Sequence, residues 1–389
     1  MNGRATIPIL TFILLILVAA PAATETLPPP ARAVLDSLAA WHGASRPDRV
    51  DSLAAPAIAA ARAENDSTFL LALLLARGRT RAAFGLAREG EPDLREAREL
   101  AVARRDTAAW LPSLRWLSVA VGQQGRVTEA RRIYRDLEAL ATAAGDSVHM
   151  GWAWIGLAYD HYLASRPDSA GALYGAAAGV LDRADISRGA IWALNGQGLA
   201  LRQAGRYAEA AASFRRLLDL ARTHGDALNE AVALNQLGRL ELYFGDPGRA
   251  VVWLRQAEEI HRRFRHHREQ LLAEIDIAKA LDLQGRKDDA AMALDAVLVR
   301  AREHGLADIV ALASNQLADI FLDRGRPGAA AAITRRALAM PESPSVMAST
   351  ELGLRLARAL AARDSAEAAL AVLDAAVARG AGAVSLELR

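Results

Sequence analysis

The sequence predicts an all-α protein, a solenoid in which antiparallel helix pairs repeat along the chain. Apolar residues recur with the 3.6-residue period of helices, and almost no segment alternates as a strand does. Glycines recur at 40-residue intervals, and an alanine follows each of them by five residues. Such self-similarity is typical of repeat architectures, in which each unit buries its apolar face against its neighbours.

Composition limits the functions that the chain can have. It has 389 residues, of which 52% are hydrophobic and 24% charged, with a formal net charge of +2. Charges of both signs are interleaved, so the balance gives no indication of binding to nucleic acid or to a membrane surface. Cysteine is absent, which excludes disulfides, thiolate metal sites and a cysteine nucleophile. Packing alone must hold the fold together.

The N-terminal segment, residues 1–22, is typical of an export signal. Arg4 supplies the positive charge, residues 7–20 the apolar segment, and Ala20-Pro21-Ala22 a small-x-small cleavage site. We expect cleavage before Ala23, which makes the protein periplasmic or secreted. The alternative is an uncleaved segment that anchors the protein in a membrane, because the apolar run is close to the minimum length that spans a bilayer.

The remaining chain is divided by composition and phase. Residues 23–30 are predicted as a linker, and residues 31–106, which are interpreted as helical and out of phase, as divergent repeats that cap the array. Six repeats in phase are predicted over residues 107–340, and a seventh, degenerate one over residues 341–380. Residues 381–389 are interpreted as a tail that begins another first helix and stops, as in a truncated array.

Each of the six repeats has small residues at fixed positions. They let the two helices of a pair approach closely, and a turn glycine permits the left-handed conformation that ends the first helix. The turn residues are Gly125, Ser165, Gly205, Gly245, Gly285 and Gly325, and the following alanines are Ala130, Ala170, Ala210, Ala250, Ala290 and Ala330. Aspartates just before the next helix are expected as N-caps, namely Asp106, Asp146, Asp185 and Asp226.

This spacing resembles the tetratricopeptide repeat, which has Leu and Gly in its first helix and Ala-x3-Phe in its second. The segment "WAWIGLAYDHYLASRPDSAGALY" matches with Trp154, Leu157, Ala158, Ala170 and Tyr174. The resemblance covers six consecutive units, although the period here is 40 residues and the family's is about 34. Repeats of this longer kind resemble those of kinesin light chain and Pins-type scaffolds, which bind peptides.

The resemblance implies a right-handed superhelix with first helices lining its concave face. In the family, four positions of each first helix face this groove. In two adjacent units they are Trp152, Ile155, Tyr159 and Tyr162, then Trp192, Asn195, Leu199 and Arg202. Five of the seven tryptophans lie between Trp110 and Trp192, which predicts an aromatic patch on the inner wall. The alternative is that Trp152 and Trp192 are buried under the neighbouring unit.

Polar residues are expected in the same groove. Asn195, Asn235 and Asn315 form a column that Ile275 interrupts. Amides donate and accept hydrogen bonds at once, which suits an extended peptide backbone, although hydrogen bonds between repeats are the alternative. Three arginines are expected to pair with acidic side chains or with a C-terminal carboxylate of a ligand, namely Arg115, Arg202 and Arg239.

Other motifs are interpreted as structural. The basic run from His261 to Glu269 lies at the outer end of a second helix, where a solvated face is expected. Asp160 and His161 suggest a hydrolytic pair, but His161 occupies a packing position of the repeat. The sequence lacks the phosphate-binding, dinucleotide, zinc-peptidase and nucleophile-elbow motifs. We therefore expect no catalytic residue, no metal and no cofactor.

Together these features predict an exported, non-catalytic scaffold that binds a protein or peptide in its concave groove. It is expected to bind no nucleic acid and to contact a membrane only through an uncleaved N-terminal segment. The alternative is the sensor half of a bacterial signalling or proteolytic protein whose output domain is missing, because the array stops without a polar capping helix.

Overall fold

The computed structural model describes residues 29–43, 46–340 and 345–387. These residues form eighteen α-helices and no strand, so the predicted all-α class and helix-pair solenoid are confirmed. The helices are α1 Pro29–Gly43, α2 Pro47–Ala63, α3 Ser67–Ala83, α4 Ala87–Ala103, α5 Thr107–Gln123, α6 Val127–Ala144, α7 Ser147–Leu163, α8 Pro167–Arg183, α9 Ser187–Gln203, α10 Tyr207–Thr223, α11 Ala227–Phe244, α12 Pro247–Arg263, α13 His267–Leu283, α14 Lys287–Glu303, α15 Ala307–Asp323, α16 Pro327–Leu338, α17 Val346–Ala361 and α18 Ala366–Glu387. The predicted export signal lies outside the described residues.

The chain divides into two compact units, Met1–Ser213 and Phe214–Arg389. Helices α1 to α9 and the start of α10 belong to the first unit, and the remaining helices to the second. Each unit has its own core of leucine, isoleucine and alanine side chains. Fully buried examples are Leu73, Leu94, Leu117 and Leu137 in the first unit and Leu254, Leu294, Ile309 and Leu317 in the second. No helix among the described residues is long and apolar enough to cross a membrane.

A left-handed backbone residue recurs at every twentieth position and sets the length of the helices. It lies in the short connection after each helix from α2 to α15, where glycine is favoured because it has no Cβ. Nine of these residues are glycines, and the others are Asn65, Arg105, Ser165, Asp185 and Arg265. Ser165 therefore takes the turn position that its spacing predicted.

The N-terminal region keeps this phase, so the prediction that residues 31–106 are out of phase was wrong. Helix α3 begins at Ser67 and α5 at Thr107, and the same interval separates Thr107 from the start of α7 at Ser147. Asn65, Gly85 and Arg105 hold the left-handed positions there, and Gly85 lies 40 residues before Gly125, in the glycine phase of the later repeats. The role of this region as a cap stays a prediction.

Three of the four aspartates that were predicted as N-caps cap the first helix of a pair. Asp106, Asp146 and Asp226 each accept a hydrogen bond from the backbone N–H three residues ahead, at 2.9 to 3.2 Å. The prediction for Asp185 was wrong, because it occupies the left-handed turn position with φ 57°. The N-cap of α9 is Ile186.

Glycines in first helices accept tyrosine rings from the preceding pair. A Cβ added to Gly156 in α7 would lie 2.2 Å from the ring of Tyr134 in α6. A Cβ added to Gly196 in α9 would lie 2.5 Å from the ring of Tyr174 in α8. Each tyrosine thus fills the space between successive helix pairs, where any larger residue would collide with it.

Gly156→Ala should destabilise the first unit by about 1–3 kcal/mol, because the new methyl group overlaps the ring of Tyr134. Gly171→Ala is the matched control. That glycine is also helical and buried, but its added Cβ would stand 3.6 Å from Leu201, an ordinary contact. The control should gain about 0.5–1 kcal/mol from helix propensity. Chemical denaturation followed by circular dichroism measures both changes, and equal destabilisation would contradict the packing described.

Candidate ligand-binding face

The first helices of the first unit converge on one side. Helix α3 contacts α5, α5 contacts α7, and α7 contacts α9. Within the described part of this unit, successive second helices make no comparable contact with each other. Residues on the first helices of this unit therefore come close together across repeats, as a groove lining requires.

The predicted aromatic patch is partly buried and partly exposed. Trp192 is 37% exposed and Tyr159 is 38% exposed, while Ile155 and Tyr162 are half-buried. Trp152 is buried, with 6% of its surface exposed. Its ring meets the Trp192 ring edge to face, with centroids 6.3 Å apart and an interplanar angle of 82°. The solvent-exposed part of this face thus consists of Trp192 and Tyr159, supported from below by Trp152.

Arg115 lies in this aromatic cluster and not on the open surface. Only 7% of Arg115 is exposed, and its guanidinium carbon is 3.6 Å from the Trp152 ring centroid and 5.0 Å from the Trp116 ring centroid. Both distances are typical of cation–π contacts. Among the described residues no carboxylate forms an ion pair with this guanidinium. The pairing of Arg115 with a carboxylate of a ligand stays a prediction.

The surroundings of Arg115 are electropositive. Burial lowers the pKa of Arg115 to about 9, and the charge of Arg79 contributes to the same shift. Arg79 lies at the same repeat position as Tyr159. The sequence does not identify it, because residues 31–106 are interpreted as out of phase. His149 in α7 also adjoins the cluster, and burial lowers its pKa while Asp146 opposes this shift.

The remaining predicted residues of the first unit are only partly accessible. Arg202 and Asn195, both in α9, are half-buried. The Asn195 side-chain oxygen is fully buried and accepts no hydrogen bond from the described residues. Asp160, the acid of the hydrolytic pair considered above, accepts a hydrogen bond from Arg131 at 2.8 Å.

In the second unit the predicted arginine already has a partner. Arg239 in α11 donates through Nε to Asp276 in α13 at 2.6 Å, and Asp276 raises the pKa of Arg239. This intramolecular ion pair corrects the expectation that Arg239 awaits an acidic group of a ligand.

The predicted asparagine column of the second unit also makes internal hydrogen bonds. Asn235 in α11 is 3.1 Å from Nε2 of His261 in α12. Asn315 in α15 is buried and donates to Glu351 in α17 at 3.2 Å. Asn315 thus takes the alternative expected for it, a hydrogen bond between repeats, whereas the contact of Asn235 joins the two helices of one repeat.

The second unit should lose stability in acid because of His261. Burial and His266 lower the pKa of His261 to about 4, whereas an unfolded histidine titrates near about 6.5. The unfolded chain therefore takes up the proton first. The contribution of neutral His261 to the free energy of unfolding is complete above pH 6.5. It is lost as the pH falls through 4, which lowers the free energy of unfolding by roughly 3 kcal/mol.

His261→Gln retains a polar partner for Asn235 and does not titrate, so it should flatten the pH dependence of the unfolding free energy between pH 6.5 and 4. His224→Gln, at an exposed position of the same unit, is the matched control and should keep the wild-type slope. Urea denaturation across this pH range measures the slope. An unchanged slope in His261→Gln would show that His261 does not titrate as described.

Comparisons with known proteins identify the repeat and the fold. A family model of the tetratricopeptide repeat matches residues 189–263. The apo form of RapI has a TM-score of 0.64 and 11% identity, over 90% of this chain and 98% of RapI. The apo quorum sensor NprR from B. thuringiensis has a TM-score of 0.58 and 12% identity, over 90% of this chain and 98% of its own.

A signal-transduction ATPase with a tetratricopeptide repeat sensor, from Pyrococcus horikoshii, has a TM-score of 0.56 and 12% identity, over 79% of this chain and 49% of the ATPase. No protein with a curated description matches the sequence significantly. At these identities the structural likeness establishes the fold, and the family model identifies the repeat. Residues 189–263 thus match the tetratricopeptide repeat, and the helix pairs on either side of them keep the same regular spacing.

Proposed function

We propose that the chain is an exported, non-catalytic scaffold that binds a peptide segment of a ligand on the first-helix face of the first unit. The observation that carries the proposal is the exposure of two large aromatic side chains on neighbouring first helices, Trp192 and Tyr159. Aromatic residues that remain exposed on a rigid support are typical of binding surfaces, since they offer much apolar area at low entropic cost.

The support beneath these side chains favours binding. Trp152 packs edge to face against Trp192, and Arg115 packs against the other side of the same cluster through its contact with Trp152. A side chain held in place before binding loses less conformational entropy when a ligand arrives. The geometry therefore suits the recognition of a peptide. The proposed export is supported only by the signal-like sequence of residues 1–22.

The descriptions of two structurally similar proteins support a role of this chain in sensing a ligand. NprR is described as a quorum sensor, and in the Pyrococcus horikoshii ATPase the repeats are described as a sensor. Both descriptions name a sensor, which supports a recognition role for this chain.

Trp192→Ala combined with Tyr159→Ala should weaken peptide binding, because it removes the exposed aromatic area. The probe is a defined library of synthetic heptapeptides, made with free and with amidated C-termini. Peptides that the full chain retains are sequenced by mass spectrometry and then titrated one at a time by calorimetry. We expect selected peptides to lose about tenfold or more in affinity, since each truncated aromatic anchor costs roughly 2 kcal/mol.

The control is Tyr243→Ala combined with Phe264→Ala, which removes two exposed aromatics of the second unit, 63% and 45% exposed. It should retain the wild-type affinities, and both double variants should keep helical circular dichroism. Unchanged affinity in the Trp192 and Tyr159 variant, or a library from which the wild type selects nothing, would overturn the proposal.

A second candidate is that the chain is the sensor part of a longer signalling protein. The similar region is about half of the Pyrococcus horikoshii ATPase, so this fold does occur within a longer signalling chain. Reading the coding sequence beyond Arg389 tests this candidate. An open reading frame that continues into an enzymatic domain supports it, and a stop codon there removes it.

A further inference from the structure

Histidines are concentrated in one part of the second unit. Five of the eight histidines of the chain lie between residues 224 and 304. His267 begins α13, and His304 directly follows α14. Although these two histidines belong to different repeats, their rings stack, with centroids 4.3 Å apart and an interplanar angle of 18°. The packing of successive repeats thus brings two imidazoles together at the surface.

The two imidazoles have no other polar partner. Both side chains are exposed, and neither forms a hydrogen bond or an ion pair with the described residues. The neighbouring His266 belongs to a different cluster, because its ring is 6.2 Å from that of His261 and 6.3 Å from that of Phe264. A neutral imidazole has one nitrogen that carries a lone pair. The pair therefore offers two nitrogen ligands.

The separation of the rings is close to what a shared metal ion requires. A metal–imidazole bond is about 2.1 Å long, so two imidazoles at neighbouring positions of one ion have ring centroids about 4.5–5.3 Å apart. The observed 4.3 Å lies just below this range. The lone pairs of parallel rings do not converge, so at least one ring must rotate about its Cβ–Cγ bond to bind. Exposed side chains change rotamer readily, and both histidines are exposed.

The charges next to the pair leave no net repulsion for a cation. Arg268, which follows His267, is neutralised by its ion pair with Asp308. The other charged side chains within two residues of either histidine are two arginines and two glutamates, namely Arg265, Arg302, Glu269 and Glu303. Their formal charges cancel, and solvent screens what remains at this exposed position.

The type of ligand selects the type of ion. Imidazole nitrogen suits Zn²⁺, Ni²⁺ and Cu²⁺, whereas Mg²⁺ and Ca²⁺ prefer oxygen ligands. Among the described residues no group of three or more side chains could hold a metal ion. The chain itself therefore supplies two ligands here, and water completes the coordination.

We propose that His267 and His304 together bind one divalent ion of the class that prefers imidazole, namely Zn²⁺, Ni²⁺ or Cu²⁺. The ion links the connection after α12 to the connection after α14 and so joins two successive repeats of the second unit. The sequence predicted no metal, because the two ligands lie in different repeats and only packing shows that they meet. The inference is independent of the proposed peptide-binding face, which lies in the first unit.

Isothermal titration calorimetry with NiSO₄ tests the proposal on the full chain, made without a histidine tag. We expect one Ni²⁺ to bind to the pair, and His267→Gln and His304→Gln should each weaken its affinity by about tenfold or more, because chelation is lost. His224→Gln is the matched control. It removes an exposed histidine at the position of His304 two repeats earlier and should keep the wild-type affinity. MgCl₂ should give no binding heat.

The variant that combines His267→Gln with His304→Gln distinguishes one shared ion from two separate ones. For a shared ion it should lose little more affinity than either single variant, because the two effects are not additive. Ni²⁺ should also raise the urea midpoint of the wild type and not that of the double variant. If each single change removes one of two equal, weak sites, the binding is adventitious and the proposal fails. It also fails if the wild type binds Ni²⁺ no more tightly than the double variant does.

Discussion

The structure depends on a left-handed residue placed at every twentieth position. Because each connection reverses the chain at the same interval, the helices from α2 to α15 are nearly equal in length. Equivalent positions of successive first helices then lie side by side within a unit. Trp152 and Trp192 occupy the same position in successive repeats, and their rings are in contact. Packing between pairs preserves this alignment, as the Tyr134 ring against Gly156 shows.

The same repeat positions are used differently in the two units. In the second unit polar residues at these positions find partners within the chain, as Arg239 does with Asp276 and Asn315 with Glu351. In the first unit the guanidinium of Arg115 has no carboxylate partner among the described residues and stacks on Trp152. Buried polar atoms without a partner occur in both units, and Asn235 Oδ1 and Asn315 Oδ1 are examples in the second. The proposed binding face is assigned to the first unit because Trp192 and Tyr159 are exposed there on neighbouring first helices.

The sequence predicted the helix pairs well because small residues and turn glycines report directly on backbone geometry. It failed in the N-terminal region, where only Gly85 continues the glycine phase and Asn65 and Arg105 hold the other left-handed positions. It placed Arg115, Trp152 and Arg239 on first helices correctly, since the direction of a side chain follows from helical periodicity. It left the burial of Trp152 as an alternative and did not predict the pairing of Arg239, because both depend on which side chain the next repeat supplies. Asp276 comes from the following first helix, far from Arg239 in sequence, and only packing shows that they meet.

A measurement of whether Arg115 stacks on Trp152 tests the described geometry of the binding face most directly. Nuclear magnetic resonance of the full chain, labelled with ¹⁵N only at arginine, observes the side-chain N–H groups. A guanidinium 3.6 Å from the centre of an indole ring lies in the shielding region of that ring. We predict an Arg115 N–H signal shifted upfield of the exposed arginines, which returns to their position in Trp152→Leu. An Arg115 signal among those of the exposed arginines, unaffected by Trp152→Leu, would contradict the geometry on which the binding face is built.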